Sequence, residues 1–281
     1  MLLAVLLSFN LEKNAHYLKE FSLRFAPSPE VVEALSVDQK PLLADLFFAK
    51  TAVHLGENYH TPEKRDLDWM YANLDIVTRL DPDFRGAYLF GGIAIPLDKK
   101  ETKNAIKFLK EGLKRAPLDW HLPFWLGYNY YQLDDYLTAA DYFAQAAKLP
   151  SCPRFVESVR AMLYYKGDQP EAALTILQAL IDSVEKKKDK ELIEKKIAWL
   201  KNIVELEGVV KKFKEKFSRL PDNLEELASS GLLTEIPEDK FGQGYYLDKK
   251  SGHVKSLFKF VGSNDLQGPP KPEGQTCDIP K

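Results

Sequence analysis

Charge of one sign is missing from this chain. Its 39 Lys and Arg residues against 41 Asp and Glu leave a formal net charge of −2, so the overall balance shows nothing of the basic footprint that nucleic-acid binders carry. Cysteine is scarce: Cys152 and Cys277 stand far apart and neither sits in a CxxC or CxxCH setting. That excludes a zinc cluster and a haem attachment and leaves either one long-range disulfide or two unpaired thiols. His16, His54, His60, His121 and His253 show no HExxH or comparable ligand spacing, so no metal site is expected. The sequence also lacks GxSxG, the phosphate-cradling GxxxxGK(S/T) and a Gly-rich loop after a strand, so no catalytic residue and no cofactor is expected. Long apolar runs are absent as well. The stretch Met1 to Phe9 is apolar, yet a bilayer-spanning helix needs about 20 residues and the basic n-region and cleavage site of a secretory signal are missing. It reads either as the start of a core helix or as the remnant of an anchor.

What is present is enough for a sizeable core. At 281 residues and 45% hydrophobic the chain suits one elongated domain or two compact ones. Its lysine cluster, residues 184 to 196, interleaves Glu and Asp with Lys in the manner of a solvated helix with pairs four apart. The informative feature is an internal period. Ala105, Leu109 and Gly112, then Ala139, Phe143 and Ala146, then Ala172, Ile176 and Ala179 each place small, large and small residues at i, i+4 and i+7. Such residues share one helical face, where small ones let a neighbouring helix approach and the large one fills its groove. Pro82, Pro117 and Pro150 each close a helix, because proline cannot continue one. An upstream helix with Gly92 or Gly127 precedes, so helix, turn, helix, turn recurs.

This pattern resembles the tetratricopeptide repeat (TPR). The unit from Trp120 to Pro150 matches best, through Leu126, Gly127, Tyr130, the Asp134-Asp135-Tyr136 turn, Ala139, Phe143, Ala146 and Pro150. The unit before it carries Tyr88, Gly91, Gly92, Ala105, Leu109, Gly112 and Pro117, and an earlier one keeps the helix of residues 67 to 82. The fourth retains Leu163, Gly167-Asp168, Ala172, Ile176 and Ala179 but has Arg160 where glycine is expected. About half of the chain is covered.

Residues 191 to 217 carry apolar residues at helical spacing, from Leu192 and Ile193 to Phe213 and Phe217, predicting a long amphipathic helix that caps the last repeat. Residues 219 to 258 read as a short helix begun at Pro221-Asp222-Asn223 and ended at Gly231, then two short strands around Lys249 to Gly252. Pro221, Leu224, Leu227, Gly231 to Leu233, Pro237, Asp239, Phe241-Gly242, Tyr246 and Ser256 are similar to the end of type II secretion pseudopilins. The Pro/Gly-rich tail is expected to be disordered. The resulting expectation is an all-α fold, a TPR-type helical-repeat solenoid with a long capping helix and a small helix plus β-hairpin. Its divisions are 1–37 (the apolar segment and helices), 38–182 (four helix pairs), 188–217 (the capping helix), 218–260 (the pseudopilin-like element) and 261–281 (the tail). Tyr17-Leu18, Leu43-Ala44-Asp45, Leu80-Asp81-Pro82 and the third repeat extend the likeness to bacterial envelope proteins with an amino-terminal anchor.

The resemblance implies a non-catalytic scaffold, membrane-associated through its N-terminus and facing the periplasm or outside, with the cytoplasm as the alternative location. A peptide or helix of a partner protein would lie in the concave groove lined by His121, Phe124, Tyr128 and Tyr131 of the third repeat and by Arg154, Glu157, Ala161, Tyr164 and Tyr165 of the fourth. The Lys, Arg and Asn residues of a carboxylate clamp are absent from those positions, which favours an apolar or Pro-rich segment over a chaperone tail. A competing reading fills the groove with the chain's own residues 11 to 25 or its tail. A second function class remains, a structural subunit of an envelope assembly of pilus or secretion type that uses the outer surface or the pseudopilin-like end.

Overall fold

The computed structural model describes residues 27–36, 39–95, 99–242 and 244–256. The apolar run Met1 to Phe9, the helix expected over 11 to 25, the tail and Cys277 lie outside them. The described residues are mostly helical, at 67% helix with 11 α-helices and little strand among them. Two compact units divide the chain, Met1–Leu133 and Asp134–Lys281.

In the first unit the helices are α1 (Pro29–Leu35), α2 (Lys40–Glu57), α3 (Leu67–Leu80), α4 (Arg85–Ile93), α5 (Lys99–Arg115) and α6 (His121–Gln132). Asp66 starts α3 by accepting the Trp69 N–H at 3.0 Å, which satisfies one of the amides a helix leaves without an internal partner. Helix α2 packs on α3, α4 on α5 and α5 on α6, and α4 also touches α6. Met70, Leu74, Ile76 and Val77 of α3 are fully enclosed, with Ala44 and Leu55 of α2 and Leu43, Phe47 and Phe48 beside them. Glycine decides how close α4 and α5 come: a Cβ on Gly92 would lie 2.3 Å from Leu109 Cγ, and one on Gly112 would lie 2.7 Å from Tyr88 Cβ. The buried Asn129 amide then ties α6 to α4, donating to the Gly92 carbonyl at 2.9 Å.

The second unit holds α7 (Tyr136–Ala147), α8 (Phe155–Lys166), α9 (Pro170–Ile181), α10 (Lys187–Phe217), α11 (Glu225–Ser229) and a hairpin, β1 (Tyr245–Leu247) and β2 (Val254–Ser256). Asp135 caps α7 by accepting the Thr138 N–H, and Pro170 opens α9 where its missing N–H costs nothing. Asp134 (φ 62°) and Asp168 (φ 61°) both adopt the left-handed backbone, which Asp tolerates better than most residues, and they lie 168 − 134 = 34 residues apart.

That interval corrects one reading of the sequence. On α9 the buried residues are Ala173, Leu177 and Leu180, whereas Ala172 and Ile176 are only half-buried and Ala179 is exposed. The inward face is shifted by one position, so Ala105, Ala139 and Ala173 recur at a strict 34 and the small residue matching Gly127 is the enclosed Ala161, not Arg160. Helix α10 packs along α9, and the hairpin and α11 pack on α10. The strands pair antiparallel with Leu247 opposite Val254, and the fully enclosed Trp199 of α10 meets Tyr165 and Phe241 edge-on.

Candidate functional site: the aromatic face of α6

Helix α6 opens on a polar clamp. Asp119, in the turn before it, accepts the His121 backbone N–H at 3.1 Å and faces His121 Nδ1 at 2.7 Å. Arg85 of α4 binds the same carboxylate through Nε and through Nη2, the latter at 3.3 Å. Burial alone would raise the Asp119 pKa, but the hydrogen bonds from Arg85 and His121 more than offset that and hold its carboxyl below the ordinary value. The His121 ring stacks on Trp120 with centroids 3.9 Å apart. His121 is thereby positioned by the fold's own side chains, at 32% side-chain exposure.

Beyond it the ring residues divide by depth. Phe124 is 1% exposed, locked edge-on against Trp120 and Trp125. This corrects its assignment to a partner-binding groove, since a side chain enclosed among the rings of its own helix has no surface to give. Tyr128 and Tyr131 are half-buried, with centroids 6.4 Å apart. Burial, followed by the proximity of Tyr131, pushes the Tyr128 hydroxyl above its ordinary value, so that hydroxyl stays a neutral donor at physiological pH. Trp125, half-buried and edge-on to Tyr128 at 5.4 Å, completes a row at i, i+3 and i+6. Sequence reasoning missed Trp125, although its indole three residues before Tyr128 is the signal that would have found it.

The fourth-repeat candidates lie in the second unit and do not form a comparable row. Arg154 is exposed and donates to the Ser183 carbonyl. Glu157 pairs with Arg160 at 2.7 Å, and Tyr164 is half-buried. Ala161 and Tyr165 are buried, which corrects their placement in a groove. Thirty-four residues beyond Phe124, Tyr128 and Tyr131 stand Ser158, Met162 and Tyr165, and the chain itself covers them. Lys196 of α10 reaches Ser158 Oγ at 3.3 Å and Met162 is 2% exposed. The Tyr165 hydroxyl accepts the Ser256 N–H of β2 at 3.0 Å, and burial pushes it up to about 12.

The hairpin is fastened at several further points. Lys255 pairs with Asp168, and Glu207 of α10 accepts the Val254 N–H at 3.3 Å and faces His253 Nδ1 at 2.9 Å. Burial raises the Glu207 pKa against the opposing pull of His253. Asn202 donates to the Glu238 carbonyl at 3.0 Å, and Asp239 gathers the N–H groups of Phe241 and Gly244.

Among the described residues no group of three or more His, Cys, Asp or Glu side chains stands together in a way that could hold a metal ion. Cys152 is a half-buried thiol, pushed up to about 11 by burial. Among them, too, no helix is long and apolar enough to cross a membrane. No protein-family model matches the chain, and no curated protein matches it.

Proposed function

We propose that the chain is a non-catalytic protein-interaction scaffold built from TPR-type helix pairs, and that it grips an apolar or Pro-rich segment of a partner protein against α6. The observation that carries this reading is the row Trp125, Tyr128 and Tyr131, three rings left half-buried on a first helix whose inner residues are already packed. Rigid rings with one polar end lose little conformational entropy on binding, which suits them to partner recognition. Support for the repeat class comes from the strict 34-residue recurrence of the packed alanines and the left-handed Asp turns. An extracytoplasmic, membrane-associated setting in an envelope assembly rests on the apolar run at the N-terminus and on the pseudopilin-like residues. The alternative reading, a structural subunit acting through the hairpin, has less support, because that element is spent on holding α8 and α10.

The test pans a display library of apolar and Pro-rich peptides on the full chain, then measures the enriched peptides by fluorescence anisotropy. Tyr128→Ala with Tyr131→Ala is expected to weaken binding at least about tenfold, as loss of central aromatic anchors does, with an unchanged thermal midpoint. Equal affinity for the double variant sinks the proposal. Unfolding of that variant would show the two rings to be core.

A further inference from the structure

Helix α5 carries a single file of lysines. Lys103, Lys107, Lys110 and Lys114 stand exposed at spacings of four, three and four, which lines them up along one side of the helix over roughly 16 Å. Among the described residues of α5 the one exposed carboxylate is Glu111, which pairs with Lys114 at 2.7 Å. Among them, too, neither Lys103 nor Lys107 has an ion pair, and Lys110 lies over the Tyr130 ring of α6 at 5.5 Å. The repeat does not ask for this file. Thirty-four residues on, the same positions are Leu137, Asp141, Ala144 and Lys148, and after another thirty-four they are Glu171, Thr175, Gln178 and Asp182. Stability does not ask for it either, because like charges three or four residues apart on a helix repel. Helix α10 has more lysines but interleaves them with Asp189, Glu191, Glu194, Glu205 and Glu215. That is an ordinary solvated pattern, and the file on α5 departs from it.

We propose that this file is a docking surface for an acidic helix of a partner protein, one whose carboxylates recur at the same spacing of four, three and four. Two helices laid side by side have the same rise per residue, so charges that match at one end stay in step along the whole file. Complementary charge of this kind speeds encounter and fixes register more than it adds affinity, and exposed pairs are screened by salt. The contact is therefore a rapid, salt-sensitive one. The shape of the file favours this occupant over other polyanions. An anionic bilayer is met by a helix that also lays apolar side chains into it, whereas the file is one side chain wide and α5 exposes no large apolar residue. Single-stranded nucleic acid is held on rings that stack with its bases, and the ring beside the file, Tyr130, lies beneath Lys110. The file shares no residue with the ring row of α6, so each surface stands or falls without the other.

The test uses a fluorescein-labelled, alanine-rich helical peptide with four glutamates at that spacing, and reads its binding to the full chain by fluorescence anisotropy at low ionic strength. Binding is expected, and Lys103→Glu with Lys107→Glu is expected to weaken it at least about tenfold, since attraction becomes repulsion at two positions. A peptide carrying lysines in place of the glutamates should bind that variant and leave the native chain alone. Lys103→Gln with Lys107→Gln, which relieves repulsion and keeps the helix, should weaken binding of the acidic peptide at least about threefold without lowering the thermal midpoint. No binding of the acidic peptide overturns the proposal, and so does equal affinity for a peptide of the same composition with its glutamates out of line. Tighter binding to phosphatidylserine–phosphatidylcholine vesicles, or to oligo(dT), that the same variants abolish would overturn it in favour of a lipid surface or a nucleic acid.

Discussion

Helices α6 and α8 hold the same place in successive 34-residue units, yet they end in opposite states. On α6 the positions of Tyr128 and Tyr131 stay half-buried beside Trp125. On α8 the matching Met162 and Tyr165 are enclosed, Tyr165 against Trp199 of α10 and the edge of β2. Repeat position alone does not make a binding residue. On α8 the chain's own later elements have taken that face. The second unit has closed this face with its own chain, which hides the apolar surface of α8 from water.

The largest way to break this comparison is Trp199→Ala. The indole is 0% exposed between Tyr165 and Phe241, and its loss is expected to cost about 3–5 kcal/mol. Urea titration reads the cost, and hydrogen exchange should show the Val254 and Ser256 amides opening. A paired glycine test comes next. Gly92→Ala forces a Cβ to within 2.3 Å of Leu109 Cγ and is expected to destabilise by roughly 1–3 kcal/mol through overpacking. Gly208→Ala, on α10 with nothing within 4 Å, should instead stabilise by about 0.5–1 kcal/mol by raising helix propensity. Equal effects of the two would refute the close α4–α5 approach.

Tyr165→Phe sharpens the comparison more gently. It removes the acceptor of the Ser256 N–H while leaving the ring, so about 1 kcal/mol is expected. The smallest effect is pH-dependent. Because the Asp119 carboxyl is held below its ordinary 3.8, the stability it contributes is present above that value and is lost as pH falls through the lower folded-state value. Arg85 is 48% exposed, so solvent screening keeps the gain under about 1 kcal/mol. Asp119→Asn should melt slightly lower than the native chain at pH 7, and the two curves should converge as the pH falls through the carboxyl's lowered value.

Much of the helical fold was legible in advance, because its signals are local. Prolines at helix ends, capping aspartates and the 3.6-residue period each act through neighbouring backbone or one helical face. The one-residue slip on α9 shows where such signals fail. Ala172 and Ala173 are adjacent and identical in chemistry, and both fit a small position. Only the packing of α9 on α8 and α10, which encloses Ala173, Leu177 and Leu180, tells them apart. The candidate site was half legible for a related reason. Phe124 and Trp125 are neighbouring aromatics, and nothing in residue type says which one turns inward.

The sequence by itself determined that this chain is built of short amphipathic helices in a recurring 34-residue frame, since period, breakers and caps are properties of contiguous residues. Which rings stay at the surface was decided by tertiary structure alone. Exposure depends on what packs above a residue, and for Tyr165 that is a strand ninety-one positions further along the chain.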